Sequence, residues 1–337
     1  MKVQQESRVF LPTAIRAAEI SRKDISPQIW DSCAKQCNAS FRCSYAATAA
    51  WRFDHSFMPA RLRYFDLYSE DSGSKIGQCA IARGRQQTIF LDGLQLLPEH
   101  EELWQPAMAA LLSVLGPGRY RYGSRWSMEK ARDLDFTKIR DVTVERAKPI
   151  IVQAVDFSHW NSWDDYYRQV SNNARRSAKK AVVRHPDLQL KMRRGLSTLF
   201  DSPSLTMLQR AVARRKQISA SFLRMAARFL FRTITMHKYV VTAVVTAEGR
   251  TLAAFSGIEF GENTYYLSGG SEAEIGGAAW HLMLALIRET HDRTHGSGKF
   301  LMGSVEENSP GWISLARSRE QCRVVDFPTS IVTFTYC

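Results

Sequence analysis

The stretch from Tyr239 to Gly270, YVVTAVVTAEGRTLAAFSGIEFGENTYYLSGG, decides the fold of this chain. Two runs rich in β-branched and aromatic residues, Tyr239–Ala247 and Thr251–Phe260, are separated by the turn sequence EGR. A third run, Thr264–Ser268, follows the turn sequence GEN. Such runs, joined by short turns that contain glycine, are typical of antiparallel strands. We therefore expect a three-stranded β meander in the C-terminal half.

The residues after the meander predict a helix, two strands and a further short helix. Gly276 and Gly277 precede a segment whose apolar residues recur at helical spacing: Leu282, Met283, Leu286 and Ile287. Lys299–Gly303 is predicted to be a strand, Pro310–Arg317 a short helix, and Val324–Tyr336 the final strand.

The residues before the meander predict a strand at Ile150–Phe157 and then a long basic helix. This helix is expected to begin after Asn161 or Ser162 and to end before Pro186. Its apolar stripe would be Trp163, Tyr166, Tyr167, Val170, Ala174, Ala178 and Ala181. Residues 188–192 alternate as a strand, and residues 203–218 and 219–235 fit two helices.

The N-terminal half repeats the later part of this order in a shorter form. Strands are expected at Arg61–Tyr68, Ile76–Ala82 and Thr88–Leu97, followed by a helix that ends at Gly116 and a strand at Arg119–Tyr122. The expected fold class is α+β, with two related units that each have a mostly antiparallel sheet flanked by helices. We expect domains at residues 1–147 and 148–337, with a basic helical region at 163–235.

The positive charge of the chain is concentrated in one stretch. Tyr166–Ala247 holds seventeen Lys and Arg but only two acids, so its net charge is +15, whereas the whole chain carries +13. Ordinary solvated faces mix both signs, so phosphate binding is the favoured interpretation. The candidate residues form three clusters: Arg175, Arg176, Lys179 and Lys180; Arg193 and Arg194; and Arg214, Arg215 and Lys216. The ligand could be a tRNA acceptor arm, an anionic lipid, a phosphorylated acceptor or CoA.

Length and composition favour a cytoplasmic protein of two domains. A chain of 337 residues with 45% apolar residues can build more than one core. Cys33, Cys37 and Cys43 lack a paired CxxC and a nearby His, so we expect reduced cysteines and no metal site. The first residues lack the apolar core of a secretory signal, and no run approaches the ~18 apolar residues of a membrane-spanning helix. Peripheral contact with a membrane is compatible with the basic charge.

Three phrases of the sequence resemble the GCN5-related N-acyltransferase (GNAT) superfamily, most closely its tandem-domain branch. That branch comprises the Fem-type aminoacyltransferases of peptidoglycan synthesis and the related acyltransferases found with cellulose-synthesis systems. Val170–Ala181, VSNNARRSAKKA, is similar to the basic helix of the branch. Ala253–Phe260 with Thr264–Gly270 is similar to its central hairpin. Lys299–Ser304, followed by Ser309–Gly311, resembles a strand-plus-glycine element near its acceptor site. The resemblance covers residues 150–337 and is topological over 60–135.

This resemblance implies two tandem GNAT-like domains and a choice between two donors. CoA-using members bind pyrophosphate on a loop resembling Q/R-x-x-G-x-G/A before the long helix. Residues 273–278 keep the glycine but lack the Gln or Arg, and Glu272 and Glu274 would repel pyrophosphate. Fem-type enzymes, the resemblance implies, take the acyl group from aminoacyl-tRNA and need no such loop. The expected donor substrate is aminoacyl-tRNA, with no tightly bound cofactor; acyl-CoA is the alternative.

Amide formation needs a deprotonated amine, a polarised carbonyl and close positioning of the two. By their places on the expected fold, Glu259, Tyr265 or Tyr266, and Glu306 are candidate bases or positioning groups, and a packing or surface role is the alternative for each. Gly269, Gly303 and Ser304 are the candidates for the acceptor-site loop.

The leading functional hypothesis is a transferase that moves an aminoacyl group from aminoacyl-tRNA to an amine. The acceptor would be a peptide, a cell-wall precursor or a natural-product intermediate. The alternatives are an N-acyltransferase that uses acyl-CoA or an acyl carrier, and a non-catalytic module that binds nucleic acid or a membrane surface.

Overall fold

A computed structural model describes residues 14–54, 61–128, 134–215, 221–272, 277–305 and 312–337. These residues form one sheet of thirteen mostly antiparallel strands and nine α-helices, which confirms the expected mixed α+β class.

The N-terminal half holds six strands and three helices among these residues. In chain order they are β1 (Ile15–Ile20), α1 (Pro27–Gln36), α2 (Tyr45–Asp54), β2 (Arg61–Ser69), β3 (Lys75–Arg83), β4 (Thr88–Phe90), β5 (Gln95–Leu96), α3 (Trp104–Leu115) and β6 (Gly118–Tyr122). The remaining elements are β7 (Val142–Asp156), α4 (Trp163–Gln169), α5 (Asn172–Arg184), β8 (Gln189–Arg194), α6 (Ser202–Arg215), α7 (Phe222–Thr235), β9 (Val240–Ala247), β10 (Arg250–Phe260), β11 (Asn263–Ser271), α8 (Ala278–Arg293), β12 (Lys299–Val305), α9 (Trp312–Glu320) and β13 (Val325–Tyr336).

Two elements expected to be continuous are interrupted, and polar side chains explain both breaks. The predicted long basic helix is wrong, because it is divided into α4 and α5 at Val170 and Ser171. The hydroxyl of Ser171 accepts a hydrogen bond from the Asn173 N–H at 3.2 Å and so begins a new helix. The expected strand at Thr88–Leu97 is divided into β4 and β5 by Asp92, which has a φ of 89°. The buried Asp92 carboxylate accepts hydrogen bonds from two serine hydroxyls, those of Ser40 and Ser124.

Twelve of the strands follow an order that is symmetric about its centre: β1-β2-β3-β4-β6-β13-β7-β12-β11-β10-β9-β8. The short strand β5 lies off this path and pairs with β3. In each half a run of antiparallel strands ends in a parallel pair, β4 with β6 and β11 with β12, and a helix (α3 or α8) connects the two strands of that pair. The two central strands are exchanged between the halves. β7 follows β6 in the chain but pairs with β12, whereas β13 follows β12 but pairs with β6.

The exchanged strands also pair with each other along the whole of β13. The boundary predicted between residues 147 and 148 lies inside β7, which runs unbroken from Val142 to Asp156. The division into domains of 1–147 and 148–337 stays a prediction, and β13 pairs with strands from both of those ranges.

Helices cover both faces of the C-terminal part of the sheet. Ala243 and Phe255 pack on one face in a cluster with residues of α5 and α8. Val244 and Ala254 pack on the other face, with Leu208 of α6 and Phe229 of α7. The basic helix α5 and the basic helices α6 and α7 therefore lie on opposite faces. No helix among the described residues has the length and apolar character needed to span a bilayer.

The exchange of β13 predicts a specific loss of stability. The buried Phe334 ring stacks on Tyr120 with centroids 5.4 Å apart and packs 4.8 Å from Phe136, both in the N-terminal core. Phe334→Ala should lower the free energy of unfolding by about 3–5 kcal/mol, as for other buried aromatic truncations. Urea denaturation measures this change, and Thr333→Ala on the same strand is the control. A loss below about 1 kcal/mol would mean that the N-terminal core does not depend on β13.

Candidate functional site

The strands β11 and β12 form a fork in the C-terminal half. They pair in parallel only from Asn263↔Lys299 to Tyr265↔Leu301 and then separate, although both strands continue. A bulge lies on each strand where they part, at Leu267 on β11 and at Met302 on β12. Bulges re-aim side chains and end regular pairing, and they are frequent beside active sites.

The equivalent fork of the N-terminal half, between β4 and β6, is filled by aromatic side chains. The Tyr122 hydroxyl accepts hydrogen bonds from the Leu94 N–H and from Trp104 Nε1, both at 2.9 Å. The Trp104 and Tyr122 rings both pack edge-on against Phe136 at about 5 Å. Because its tyrosine is fully engaged in packing and hydrogen bonding, this fork is structural, and the fork between β11 and β12 is the candidate site.

Tyr266 occupies the candidate site. Its ring packs against Phe255 with centroids 5.0 Å apart, and its hydroxyl lies over Gly269, where an added Cβ would come within 1.9 Å of the oxygen. Unlike the Tyr122 hydroxyl, the Tyr266 hydroxyl makes no hydrogen bond with a described residue. Burial raises the pKa of Tyr266 to about 12, although the charge of Arg319 acts in the opposite direction. The phenol therefore keeps its proton at neutral pH and can donate a hydrogen bond or a proton rather than act as a base.

Arg319, at the end of α9, is held beside Tyr266 by backbone carbonyls of the β12 bulge. Its Nη1 donates to the Gly303 carbonyl at 3.1 Å and to Gln153 Oε1 at 3.2 Å, and its Nη2 donates to the Met302 carbonyl. Burial lowers the pKa of Arg319 to about 10, so the guanidinium is still charged near neutral pH. Arg319 is not among the residues predicted from the sequence, because no local pattern distinguishes it from the other arginines of this segment.

The glycine and serine predicted for the acceptor-site loop lie at the fork. Gly303 has a φ of 89°, and a Cβ there would be 3.3 Å from the Trp126 ring and 3.7 Å from Arg319 Nη2. Ser304 follows it on β12 and pairs with Val152. Tyr265 instead points to the opposite face, where its buried ring packs against Phe41 and Trp126 at 4.9 and 5.8 Å. These ring contacts favour packing as the role of Tyr265, and Glu306 lies outside the described residues.

Glu259 lies at the closed end of the fork, where β11 and β12 are still paired. Its carboxylate accepts two hydrogen bonds from Arg194, Nε at 2.8 Å and Nη2 at 2.9 Å, and Arg194 also pairs with Glu289. The Glu259 hydrogen bonds raise the pKa of Arg194, and burial followed by the charge of Glu259 raises the pKa of Glu289. A carboxylate held in a bidentate ion pair is suited to fixing β8 and α8 on the sheet rather than to accepting a proton.

The three basic clusters differ in how far they are neutralised. On α5, the exposed Arg176, Lys179 and Lys180 form no ion pair with any described residue, whereas Arg175 is half-buried with its guanidinium 5.7 Å from the Tyr167 ring. Arg193 and Arg194 are ion-paired, with Asp201 and with the two glutamates named above. Arg214 is exposed, Arg215 Nη2 donates to the Ser271 carbonyl at 2.8 Å, and Lys216 lies outside the described residues. The first and third clusters are on opposite faces of the sheet, so the structure does not join all three.

The basic helix α5 crosses the N-terminus of α8. Gly277, the residue that caps α8, has a φ of 109°, and a Cβ there would lie 2.1 Å from the Ser177 carbonyl of α5. Only glycine fits at this contact. The α5 residues that form no ion pair, Arg176, Lys179 and Lys180, are consequently placed next to the start of α8. The rest of the loop that resembles the pyrophosphate site, residues 273–276, lies outside the described part of the chain.

One group of side chains has the spacing of metal ligands, but it lies away from the fork. Within the described residues, ligand atoms of His185, Asp187 and Glu248 lie within 4.8 Å of one another. Asp187 already accepts the Glu248 N–H at 2.6 Å, and Glu248 Oε1 lies 3.3 Å from His185 Nδ1. These contacts hold the residues after α5 against the β9–β10 turn, so the three side chains have a structural role.

No protein-family model and no curated protein sequence matches this chain. Solved structures do match it: FemX superposes with a TM-score of 0.70 at 11% identity, covering 94% of this chain and 96% of FemX. The C-terminal domain of a putative lysylphosphatidylglycerol synthetase from Agrobacterium fabrum matches with a TM-score of 0.55 at 11% identity, over 91% and 92% of the two chains. L-PGS from Bacillus licheniformis matches with a TM-score of 0.53 at 12% identity, over 92% and 91%. The chain therefore shares its fold with FemX and with the lysylphosphatidylglycerol synthetase domain.

Proposed function

We propose that this chain is an acyltransferase that forms an amide bond by moving an aminoacyl group from aminoacyl-tRNA to an amine. The acceptor would be a peptide, a cell-wall precursor or a natural-product intermediate. The observation that carries the proposal is the fork between β11 and β12, where Tyr266 offers a protonated hydroxyl without a described hydrogen-bond partner beside the charged Arg319. The fold shared with FemX and with a lysylphosphatidylglycerol synthetase domain supports it.

The arrangement fits the proton requirements of the reaction. The amine nitrogen attacks the ester carbonyl carbon, the bond from that carbon to the ribose oxygen breaks, and the leaving oxygen must gain a proton as the amine loses one. Tyr266 is suited to donate a proton to the leaving oxygen, because its phenol stays protonated at neutral pH. The phenolate that remains then takes up the proton that the amine loses, which restores the phenol and balances the transfer. The charge of Arg319 favours the phenolate that this donation would leave, which makes the phenol a stronger acid than burial alone would allow.

The contact between α5 and the N-terminus of α8 favours a polyanionic donor that binds outside the cleft used for CoA by the enzymes that the sequence resembles. The Ser177 carbonyl of α5 approaches the N-terminus of α8 so closely that no side chain fits there. In the CoA-using relatives that the sequence resembles, this helix start binds pyrophosphate. Arg176, Lys179 and Lys180 lie on the adjacent helix without internal ion pairs, which suits the phosphates of a large nucleic acid.

The donor is tested by following transfer to amine acceptors with aminoacyl-tRNA or acyl-CoA, with and without RNase. We expect product only with aminoacyl-tRNA, and RNase should abolish it. A mass-spectrometric screen of what co-purifies with the protein gives an independent measurement. Activity that survives RNase and requires acyl-CoA would select the N-acyltransferase alternative. Salt-sensitive RNA binding without turnover from either donor would select a non-catalytic binding module.

Charge reversal on α5 should weaken tRNA binding. Arg176→Glu with Lys179→Glu should raise the Kd for tRNA by about tenfold or more. The double variant should also lower the slope of log Kd against log salt by about 2, because a complex with two fewer phosphate contacts releases fewer counterions when it forms. Filter binding across a salt series measures both quantities. The control is Lys138→Glu with Arg140→Glu, two exposed residues of the N-terminal half. Equal effects of the two double variants would indicate nonspecific attraction and would remove α5 from the donor site.

Removing the Tyr266 hydroxyl should reduce the rate without weakening donor binding. Tyr266→Phe should lower kcat by about 100-fold, the range of a lost general acid, and leave the Kd for tRNA unchanged. Since the pKa of Tyr266 is about 12, its ionisation should not shape the wild-type pH–rate profile between pH 6 and 9. Tyr122→Phe in the N-terminal fork is the control, and it should reduce stability but not kcat. Wild-type turnover in Tyr266→Phe would exclude the proton-donor role.

Glu259 gives a contrasting prediction. Glu259→Gln breaks the bidentate pair with Arg194 and should lower the free energy of unfolding by about 1–2 kcal/mol, because a charge-assisted contact is lost. The kcat of the folded fraction should change by less than about threefold, since the carboxylate is not placed to accept a proton. Chemical denaturation and single-turnover transfer measure the two effects. A hundredfold loss of kcat at unchanged stability would instead restore Glu259 as the catalytic base.

A further inference from the structure

Helix α7 carries two separate apolar stripes, and only one of them is buried. The buried stripe consists of Phe229 and ends at Met236, the residue directly after the helix, and both side chains belong to the core. A second stripe, on the surface, consists of Leu223, Ala227, Leu230 and Ile234, which follow the i, i+4, i+7, i+11 spacing of one helix face. Leu223 is 77% exposed, Leu230 47% and Ile234 54%. Packing within the chain explains the first stripe but not the second.

Further exposed apolar side chains lie on the two elements that contact α7, the helix α6 and the 3-10 helix Gly195–Asp201. Ten large hydrophobic side chains are exposed among the described residues, and six of them lie between residues 196 and 234: Leu196, Phe200, Met207, Leu223, Leu230 and Ile234. The 3-10 helix Gly195–Asp201 is anchored beside α7, because Leu199 packs in the same cluster as Phe229. A Cβ on Gly195 would lie 3.3 Å from the His237 carbonyl, just beyond the end of α7. Exposed apolar side chains gathered in this way mark an interaction surface.

The charge around this patch is of one sign. Residues 202–247 contain eight Lys and Arg and no Asp or Glu. Arg224 and Arg228 are exposed along one flank of the α7 stripe. The acid nearest in sequence on the N-terminal side, Asp201, is buried and paired with Arg193. A partner for this surface must therefore offer negative charge and an apolar phase together.

We propose that α7, with the adjoining 3-10 helix Gly195–Asp201, docks this protein on an anionic lipid bilayer. Arginines at the level of the headgroups pair with lipid phosphates, while the leucine, isoleucine and phenylalanine side chains enter the acyl boundary below them. A nucleic acid would use the arginines but would provide no apolar phase for Leu223, Leu230 and Ile234. The surface lies on the opposite face of the sheet from α5, so the inference does not depend on the proposed function.

Vesicle sedimentation with the full chain tests this proposal. The wild type should bind vesicles that contain phosphatidylglycerol and should bind pure phosphatidylcholine vesicles at least about tenfold more weakly, because the attraction is partly electrostatic. A triple variant that combines Leu223→Gln, Leu230→Gln and Ile234→Gln should bind the anionic vesicles about tenfold or more weakly, because it buries less apolar area in the bilayer. Arg224→Gln should weaken binding at low salt and have less effect at high salt.

Two controls separate this surface from others. Ile29→Gln removes an apolar side chain that is 68% exposed on α1, outside the patch, and should bind like the wild type. Lys179→Gln with Lys180→Gln removes two charges from α5 on the opposite face and should also bind like the wild type. The proposal fails if the wild type does not bind phosphatidylglycerol vesicles or if the triple variant, folded by circular dichroism, binds as tightly as the wild type. It also fails if the triple variant loses RNA binding but keeps vesicle binding.

Discussion

The pairing of β7 with β13 is the constraint on which the rest of the structure depends. Each strand follows one half of the chain and is built into the sheet beside the other half. Gln153 on β7 and Asp326 on β13 are register partners, and Gln153 Nε2 donates to Asp326 Oδ1 at 2.8 Å. The amide oxygen of the same Gln153 accepts from Arg319. The strand exchange therefore joins the two cores and also orients the cation that stands beside Tyr266.

Charge is arranged differently at the two ends of the fork. At the closed end, Arg194 pairs with Glu259 and Glu289, and Arg293 also pairs with Glu259, so two positive and two negative charges balance in one network. At the open end, Arg319 contacts carbonyl oxygens and an amide but no carboxylate among the described residues. An uncompensated cation in a partly buried site acts more strongly on its neighbours than it would in water. The open end is consequently the place where charge that develops during a reaction would be stabilised.

The sequence predicted those parts of the fold that depend on neighbouring residues. The meander, α8, the glycine at its start and the Ser162 cap of α4 follow from local periodicity and capping, and Tyr266 was a candidate because it lies on a strand of the meander. Arg319 and Gln153 were missed, because they meet across 166 residues and only the exchanged strands bring them together. The break at Ser171 was missed for a different reason: the apolar stripe continues through it, and the competing N-cap hydrogen bond is visible only in three dimensions.

Comparison of the two forks explains why a duplicated fold can carry one site. A buried tyrosine hydroxyl must be satisfied by hydrogen bonds, or its burial costs free energy. In the N-terminal fork, Tyr122 is satisfied by the Leu94 N–H and the Trp104 indole, so the fork is closed by the chain itself. In the C-terminal fork, Tyr266 is only half-buried, and Gly269 leaves room for its hydroxyl but supplies no side chain to bond it. The hydroxyl of the second fork is thus open to a ligand, whereas that of the first fork is already satisfied by the chain itself, and this difference makes the second fork the candidate binding site.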